Sequence, residues 1–391
     1  MDYRTVYHGS SLPERVIAEL GNGALTRTQL CERLDVARTT LGVALSELFQ
    51  THAIDAVVQT RSERGRPTQT IQLASKTIYS IGMDVSRRRG VAIAVNRRGD
   101  PLATARVECS GDSSWIDTVG ALCDSLAEQI AFHELQDSYV SHVGVGIPIP
   151  IGHQTWADRH QSGSLVMKLK QLIEAHWLAP ILVDNTIRMA ALGEARWGAG
   201  VGIDSQLYLR VSRGIIACAT VRNVLTAGAD GYAGEIGHIT APDAKERCVC
   251  GKQGCVETVA SSDAICQQAG LEDLVQVQQA IEDKTHPSHE AALAALKRAT
   301  EALAWAVSAA VMLINPSQVV LAGEVPSAIP QFEKMLQNAL EPHLIPQLHQ
   351  HLKVVLSQQD SLGCARGATA AVETYLQQKH LTRMLQGHRS K

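Results

Sequence analysis

The residues of this chain best suited to joint chemistry are His238, Cys248, Cys250 and Cys255. One imidazole and three thiolates, spaced His-x9-Cys-x-Cys-x4-Cys, match the ligand preferences of Zn²⁺, which takes nitrogen and sulfur donors in a tetrahedron. Gly251 and Gly254 permit the tight turn between Cys250 and Cys255. Four protein ligands leave no position for a catalytic water, so the spacing predicts a closed, structural zinc site. A redox role for the Cys248-x-Cys250 pair is the competing chemistry. Chance clustering of cysteines in a loop is the plain alternative. The chain holds nine Cys, an odd number, and Met1-Asp2-Tyr3-Arg4 opens no basic-then-apolar export pattern. Disulfides do not suit that setting and metal binding does. The six other Cys are scattered and read as small buried hydrophobes.

A second set of candidates lies near the N-terminus. Ser11 and Pro13 open a helix with Val16, Ile17 and Leu20 as its stripe, and Gly21-Asn22-Gly23 stops it. Thr26-Arg27-Thr28-Gln29 is a capping box that starts a second helix running to about Leu34. Asp35-Val36-Ala37 turns the chain into a third helix, Arg38 to about Gln50, with Leu41, Ala44, Leu45 and Leu48 on its apolar face. Two short helices joined by a tight turn form the helix-turn-helix pattern. Strands at Ala53–Val58 and Thr70–Leu73 then flank a polar tip holding Arg61, Arg64, Gly65, Arg66 and Pro67. Such a tip fits a DNA-binding wing whose arginines enter a narrow, electronegative minor groove. In helix-turn-helix readers the N-terminal residues of the second helix reach base edges. Here those residues are Arg38, Thr39, Thr40 and Val43. A generic three-helix cap on a larger enzyme is the alternative.

Bulk charge does not decide the matter. Lys plus Arg is 36 and Asp plus Glu is 39, a net charge of −3, which excludes nucleic-acid binding through global positive charge but not through a local patch. The 45% apolar and 19% charged composition is that of a globular chain and excludes a mainly disordered one. No run of about eighteen apolar residues suggests a membrane span. A cytoplasmic location is expected.

The rest of the chain must position the cysteine loop. Strands at Ile78–Val85, Val91–Val95 and Leu102–Val107 precede a helix at Ser114–Phe132 and a strand at Val140–Ile147. A helix at Val166–Trp177, a strand at Pro180–Val183 and a helix at Ile187–Trp197 follow. A similar cycle restarts at Leu207–Val211 and Ile215–Val221, with long helices over 258–314, a strand at Val319–Ala322 and a mostly helical tail. Three strands followed by alternating helices and strands, seen twice, predict two α/β lobes with a cleft between them.

Gly228 to Ser261, GADGYAGEIGHITAPDAKERCVCGKQGCVETVAS, closely resembles the signature of the ROK family of repressors, open reading frames and sugar kinases. The Arg-Gly-Arg-Pro wing points to the repressor branch. Leu381 to Gly387 looks like the end of a glucose-responsive repressor of that branch. The resemblance spans nearly the whole chain. It implies an actin-like, hexokinase-like fold of two lobes and a zinc ion that shapes the sugar loop. It also implies that Asn185, Glu235, His238 and Glu257 surround a sugar, with Glu257 alternatively only orienting the loop.

Departures from the kinase pattern of that family bear on activity. The first phosphate loop, Asp-x-Gly-x-Thr in the kinases, is here Asp84-Val85-Ser86-Arg87-Arg88. The second, similar to Gly-Thr-Gly-Ile-Gly, is Ser212-Arg213-Gly214-Ile215-Ile216, whose bulk obstructs backbone approach to phosphates. Counting back from Gly193-Glu194 places Thr186 where the kinases carry the aspartate that deprotonates the sugar hydroxyl. A threonine hydroxyl is too weak a base for that step near pH 7.

The expected molecule is therefore a non-enzyme. It is α/β, with an N-terminal winged helix-turn-helix followed by a two-lobed actin-like ROK domain. The expected divisions are 1–75 for the winged helix and 76–200 with 357–391 for the first lobe. Residues 201–356 form the second lobe, with the zinc loop and oligomerisation helices. Expected partners are a double-stranded DNA operator, a sugar or sugar-phosphate effector, and a second copy in a homodimer or homotetramer. A protein partner at the C-terminal tail, and more remotely an ATP-dependent sugar kinase, are the alternatives.

Overall fold

A computed structural model of the chain describes residues 12–20, 23–50, 53–59, 68–74, 78–86, 89–96, 99–110, 113–135, 139–149, 165–177, 179–221, 224–229, 231–372 and 374. The chain folds into two units: 1–149, 154–190 and 362–391 in one, and 150–153 with 191–361 in the other.

The first unit begins with α1 (Leu12–Leu20), β1 (Leu25–Thr26), α2 (Arg27–Leu34), α3 (Arg38–Gln50), β2 (Ile54–Gln59) and β3 (Thr68–Leu73). The capping box is formed in both directions. The Gln29 amide N–H donates to Thr26 Oγ1 at 3.2 Å, and the Thr26 N–H donates to Gln29 Oε1 at 2.9 Å. Asp35 adopts a left-handed conformation (φ 52°) and stops α2, which creates the turn into α3. The apolar stripes of the three helices meet in one core, with Val16, Leu20, Leu30, Leu41, Leu45 and Ile71 all buried. β2 and β3 pair antiparallel from Ile54↔Leu73 to Gln59↔Thr68, and β1 adds to β3. Three helices and a three-stranded sheet thus make the winged-helix arrangement. The tip holding Arg61, Arg64, Gly65 and Arg66 lies outside the described residues.

The same unit continues with β4 (Ile78–Val85), β5 (Arg89–Val95), β6 (Pro101–Glu108), α4 (Trp115–Phe132), β7 (Tyr139–Ile147), α5 (Leu165–Glu174), β8 (Ile181–Asn185) and the start of α6 (Thr186–Trp197). Its sheet has the order β6-β5-β4-β7-β8, antiparallel through β6-β5-β4 and parallel through β4-β7-β8. A closing helix over 363–372 packs directly on this sheet. A Cβ on Gly82 would fall 1.8 Å from the Ala365 carbonyl oxygen, and one on its register partner Gly144 would fall 2.1 Å from that of Ala368. Glycine at this pair is what lets helix backbone meet sheet backbone.

The second unit repeats the plan with β9 (Ser205–Val211), β10 (Ile215–Val221), β11 (Val224–Leu225), β12 (Gln318–Ala322) and β13 (Lys353–Leu356). The order is β11-β10-β9-β12-β13, with the same antiparallel and parallel halves. Between β11 and β12 come α7 (Glu257–Ala260), α8 (Ser262–Ala269), α9 (Leu274–Glu282) and the long α10 (His289–Ile314). After β12 come α11 (Glu324–Ala328), α12 (Phe332–Leu340) and α13 (Pro346–His351). Two sheets of identical topology are the repeat expected from sequence. The tail is not helical throughout: Lys353–Leu356 is a parallel edge strand on β12. Its Val354 is buried, and its short, flat pattern sits directly after a helix, which hides it from periodicity. Residues 375–391, including the tail segment compared above, lie outside the described residues. Among the described residues no helix is long and apolar enough to cross a membrane.

Candidate functional site

The cysteine loop is built on the edge of β10. The N–H of Ala217 donates to the Gly234 carbonyl at 2.8 Å, which anchors Gly234–His238 to that strand. Gly234 (φ 97°) and Gly237 are required by closeness. A Cβ would fall 1.8 Å from the Ala217 oxygen at the first and 2.3 Å from the Ile215 oxygen at the second. Residues 240–255 then fold back as a knuckle, with bridges Thr240↔Cys255 and Arg247↔Gln253.

This folding brings His238, Cys248, Cys250 and Cys255 together, with all four donor atoms within 4.8 Å of one another. His238 Nδ1 lies 3.6 Å from Cys248 Sγ, and Cys250 Sγ lies 3.7 Å from Cys255 Sγ. A tetrahedral zinc with Zn–S of about 2.3 Å and Zn–N of about 2.0 Å has edges of about 3.8 Å between sulfurs and about 3.5 Å between sulfur and nitrogen. The donor set therefore fits a tetrahedral metal. The Cys250 thiol is held below its ordinary value, chiefly by the Lys252 backbone N–H. Burial and the neighbouring thiols push that of Cys255 up to about 12. Crowded thiols of this kind ionise together only when a cation compensates them. Lys252, which sequence reasoning passed over, donates from Nζ to the His238 carbonyl at 2.8 Å. Its signal was the Gly-Lys-Gln-Gly turn itself.

With Nδ1 turned to the sulfurs, His238 directs Nε2 towards Glu235 Oε2, 4.0 Å away. That separation is a charge contact and is too long for a hydrogen bond. Glu257, the first residue of α7, accepts from the Ile215 N–H at 3.0 Å. Its carboxylate thus holds the Ser212–Ile215 turn. The turn is pinned further by Ser262 N–H to the Ser212 carbonyl (3.0 Å) and Glu324 N–H to Ser212 Oγ (3.0 Å).

Asn185 belongs to the other unit, at the end of β8. Its Nδ2 donates to the Ile149 carbonyl at 2.8 Å and its Oδ1 accepts from the Ile187 N–H at 2.8 Å, so its amide caps α6 and ties down the end of β7. Asp84, Gly146 and Asp184 stand level across β4, β7 and β8. Asp184 is not held as a free base. Its Oδ1 accepts from the Arg188 guanidinium, with Nε at 2.6 Å, and from the Asn185 N–H at 2.7 Å, and both side chains are buried. The i,i+4 spacing of Asp184 and Arg188 was the available signal for this pair. Thr186, expected by counting back from Glu194 to stand where the family's kinases carry an aspartate, is 7% exposed, and its Oγ1 has no hydrogen-bond partner among the described residues.

In the winged helix, Arg38, Thr39, Thr40 and Val43 are all exposed along the first turns of α3. Sequence reasoning used Glu194 only to count from. It is in fact fully buried at the hub of a polar network. Its carboxylate accepts from the Ala199 N–H (2.7 Å), the Gln359 N–H (2.9 Å) and the Ser357 hydroxyl.

A twice-repeated five-stranded sheet with a cysteine–histidine knuckle on the second defines a class of actin-like, hexokinase-like proteins. This chain belongs to the ROK family, whose model matches residues 80–375. It is 24% identical over 340 residues to a xylose repressor of Bacillus spizizenii, covering 84% of this chain and 86% of that protein. It is 29% identical over 245 residues to a glucokinase of Halalkalibacterium halodurans, covering 58% of this chain and 74% of that one. A crystal structure described as a ROK family transcriptional regulator, homolog of E. coli MLC protein, superposes with a TM-score of 0.67 at 22% identity, covering 93% of this chain and 96% of that one.

Proposed function

We propose that this chain is a DNA-binding transcriptional repressor of sugar uptake or catabolism genes, with a sugar or sugar derivative as its effector. The observation that carries this function is the winged helix of residues 12–73, which precedes the ROK match and presents the N-terminal turns of α3 to solvent. The repressor relative aligns over most of the chain, whereas the glucokinase aligns over little more than half. The Asp184–Arg188 pair and the neutral Thr186 also speak against proton abstraction from a sugar hydroxyl.

The parts divide the work as follows. Arg38, Thr39, Thr40 and Val43 contact base edges, and Arg61, Arg64 and Arg66, around Gly65, contact the flanking minor groove. A homodimer or homotetramer supplies the second reader needed for a pseudo-palindrome. Residues 1–75 form the reader; the two lobes, expected at 76–200 with 357–391 and at 201–356, follow the division of the chain near 190 and 361, so that 191–200 and 357–361 go with the second lobe. Asn185, Glu235, His238 and Glu257 serve the effector. His238, Cys248, Cys250 and Cys255 hold a structural zinc that cross-links the loop carrying Glu235 and Glu257. An effector that binds the DNA-incompetent state more tightly shifts the population away from the operator.

Affinity selection of fragmented genomic DNA by the purified, zinc-loaded protein tests this function. Enrichment of a pseudo-palindrome upstream of a sugar transport or catabolism operon is expected, together with no ADP release from ATP and any of a panel of sugars. Absence of enrichment at moderate salt, or sugar-dependent ADP release, would overturn it.

A further inference from the structure

The helix assigned to base reading carries little charge. α3 (RTTLGVALSELFQ) has one cation, Arg38, and one acid, Glu47. Its outward side is instead rich in methyl groups. Thr39 and Val43 stand one helical turn apart, with Thr40 beside them, while Leu41, Leu45 and Leu48 turn into the core. Val43 is 73% exposed, so it contributes little to the core. The start of α1 lies alongside. Leu12 and Pro13, with Thr39, Thr40, Val43 and Glu47, line an open groove of about 470 Å³.

A groove of this chemistry suits one part of a DNA duplex. Phosphates demand cations, and the described lining of the groove holds none. The apolar group that bases present in the major groove is the thymine C5-methyl. We infer that Val43, flanked by the methyls of Thr39 and Thr40, reads a thymine methyl in each operator half-site. Val43 is thereby a specificity-determining residue, and Arg38 at the helix start supplies the polar contact beside it. This inference rests on the regulator function proposed above.

Removing one methyl from water is worth about 0.8 kcal/mol, which corresponds to about a fourfold change in Kd. Two symmetric half-sites give about fifteenfold. The test uses the full-length, zinc-loaded protein and the duplex enriched by genomic selection. Each thymidine pair is replaced in turn by deoxyuridine, which deletes only the C5-methyl. For the wild type, one symmetric pair of replacements is expected to weaken binding about fifteenfold. For Val43→Ala the same replacement is expected to have less than a twofold effect. Val43 is an exposed helix position where Ala is the better helix former, so the variant keeps its fold, checked by circular dichroism and by its melting midpoint. If no deoxyuridine replacement weakens the wild type, or if Val43→Ala retains the full loss, the methyl contact is wrong while the regulator function stands. If the wild type binds no selected duplex, the regulator function itself falls, and this inference with it.

Discussion

Replacing Cys248 by Ser removes one vertex of the candidate metal tetrahedron and leaves His238, Cys250 and Cys255 in place. Two of its edges, at 3.6 Å and 3.7 Å, already have the lengths of a zinc-bound site. With all donors within 4.8 Å of each other, the widest edge has to close by only about 1 Å on metal binding. A metal held by these donors would tie the end of the strand-anchored segment at His238 to Cys255, two residues before α7. Closing a loop of roughly 15–20 residues stabilises a folded chain by about 3 kcal/mol through the entropy of the unfolded one. For a unit of this size that is about 6–12 °C in melting midpoint. Calorimetry in reducing buffer, with and without a strong chelator, measures this shift, and plasma emission counts the metal. The wild type is expected to carry one zinc per chain and to lose about 6–12 °C with chelator. Cys248→Ser is expected to start at the lower midpoint and to ignore the chelator. Freshly purified protein without zinc, or a chelator shift of equal size in Cys248→Ser, would refute the tetrahedral cross-link.

Further predictions concern the other parts of the chain. Glu194→Ala strands the Ala199 and Gln359 amides and the Ser357 hydroxyl without an acceptor. With each buried orphan worth about 1–3 kcal/mol, urea unfolding is expected to show a loss of about 3–5 kcal/mol, and a loss below about 1 kcal/mol would contradict the network. Arg64→Ala with Arg66→Ala is expected to reduce the slope of log affinity against log salt by about two per chain. An unchanged slope would remove the wing from the DNA interface. Thr186→Asp places a carboxylate where counting from Glu194 puts the kinases' aspartate, but leaves Ser86, Arg88 and Arg213 in the segments expected to be phosphate loops. A coupled assay is expected to find no ADP release, and sugar-dependent turnover would show that the phosphate loops are competent.

Much of the chain was legible because its signals are local. The capping box at Thr26–Gln29 forms as its residue types dictate, since both partners sit in one helical turn. The four donors at His238 to Cys255 are readable from spacing because a metal tetrahedron is small and its ligands come from one loop. The repeated strand–helix cycle predicts two like sheets because both bury runs of β-branched residues.

What the sequence alone could not settle involves partners distant along the chain. Nothing in the types of Glu194, Ser357 and Gln359 announces that they meet, because their separation is bridged only when the second sheet is complete. The strand at Lys353–Leu356 exists because β12 offers it a parallel edge, not because four residues insist on being extended. Asn185 has its amide committed to the Ile149 backbone only because the ends of β7 and β8 are adjacent, whereas its bond to Ile187 and the Asp184–Arg188 pair are local. Residue type and short-range spacing thus determined the donor set and the reader. Tertiary packing decided which carboxylates are held in long-range networks, Glu194 among them.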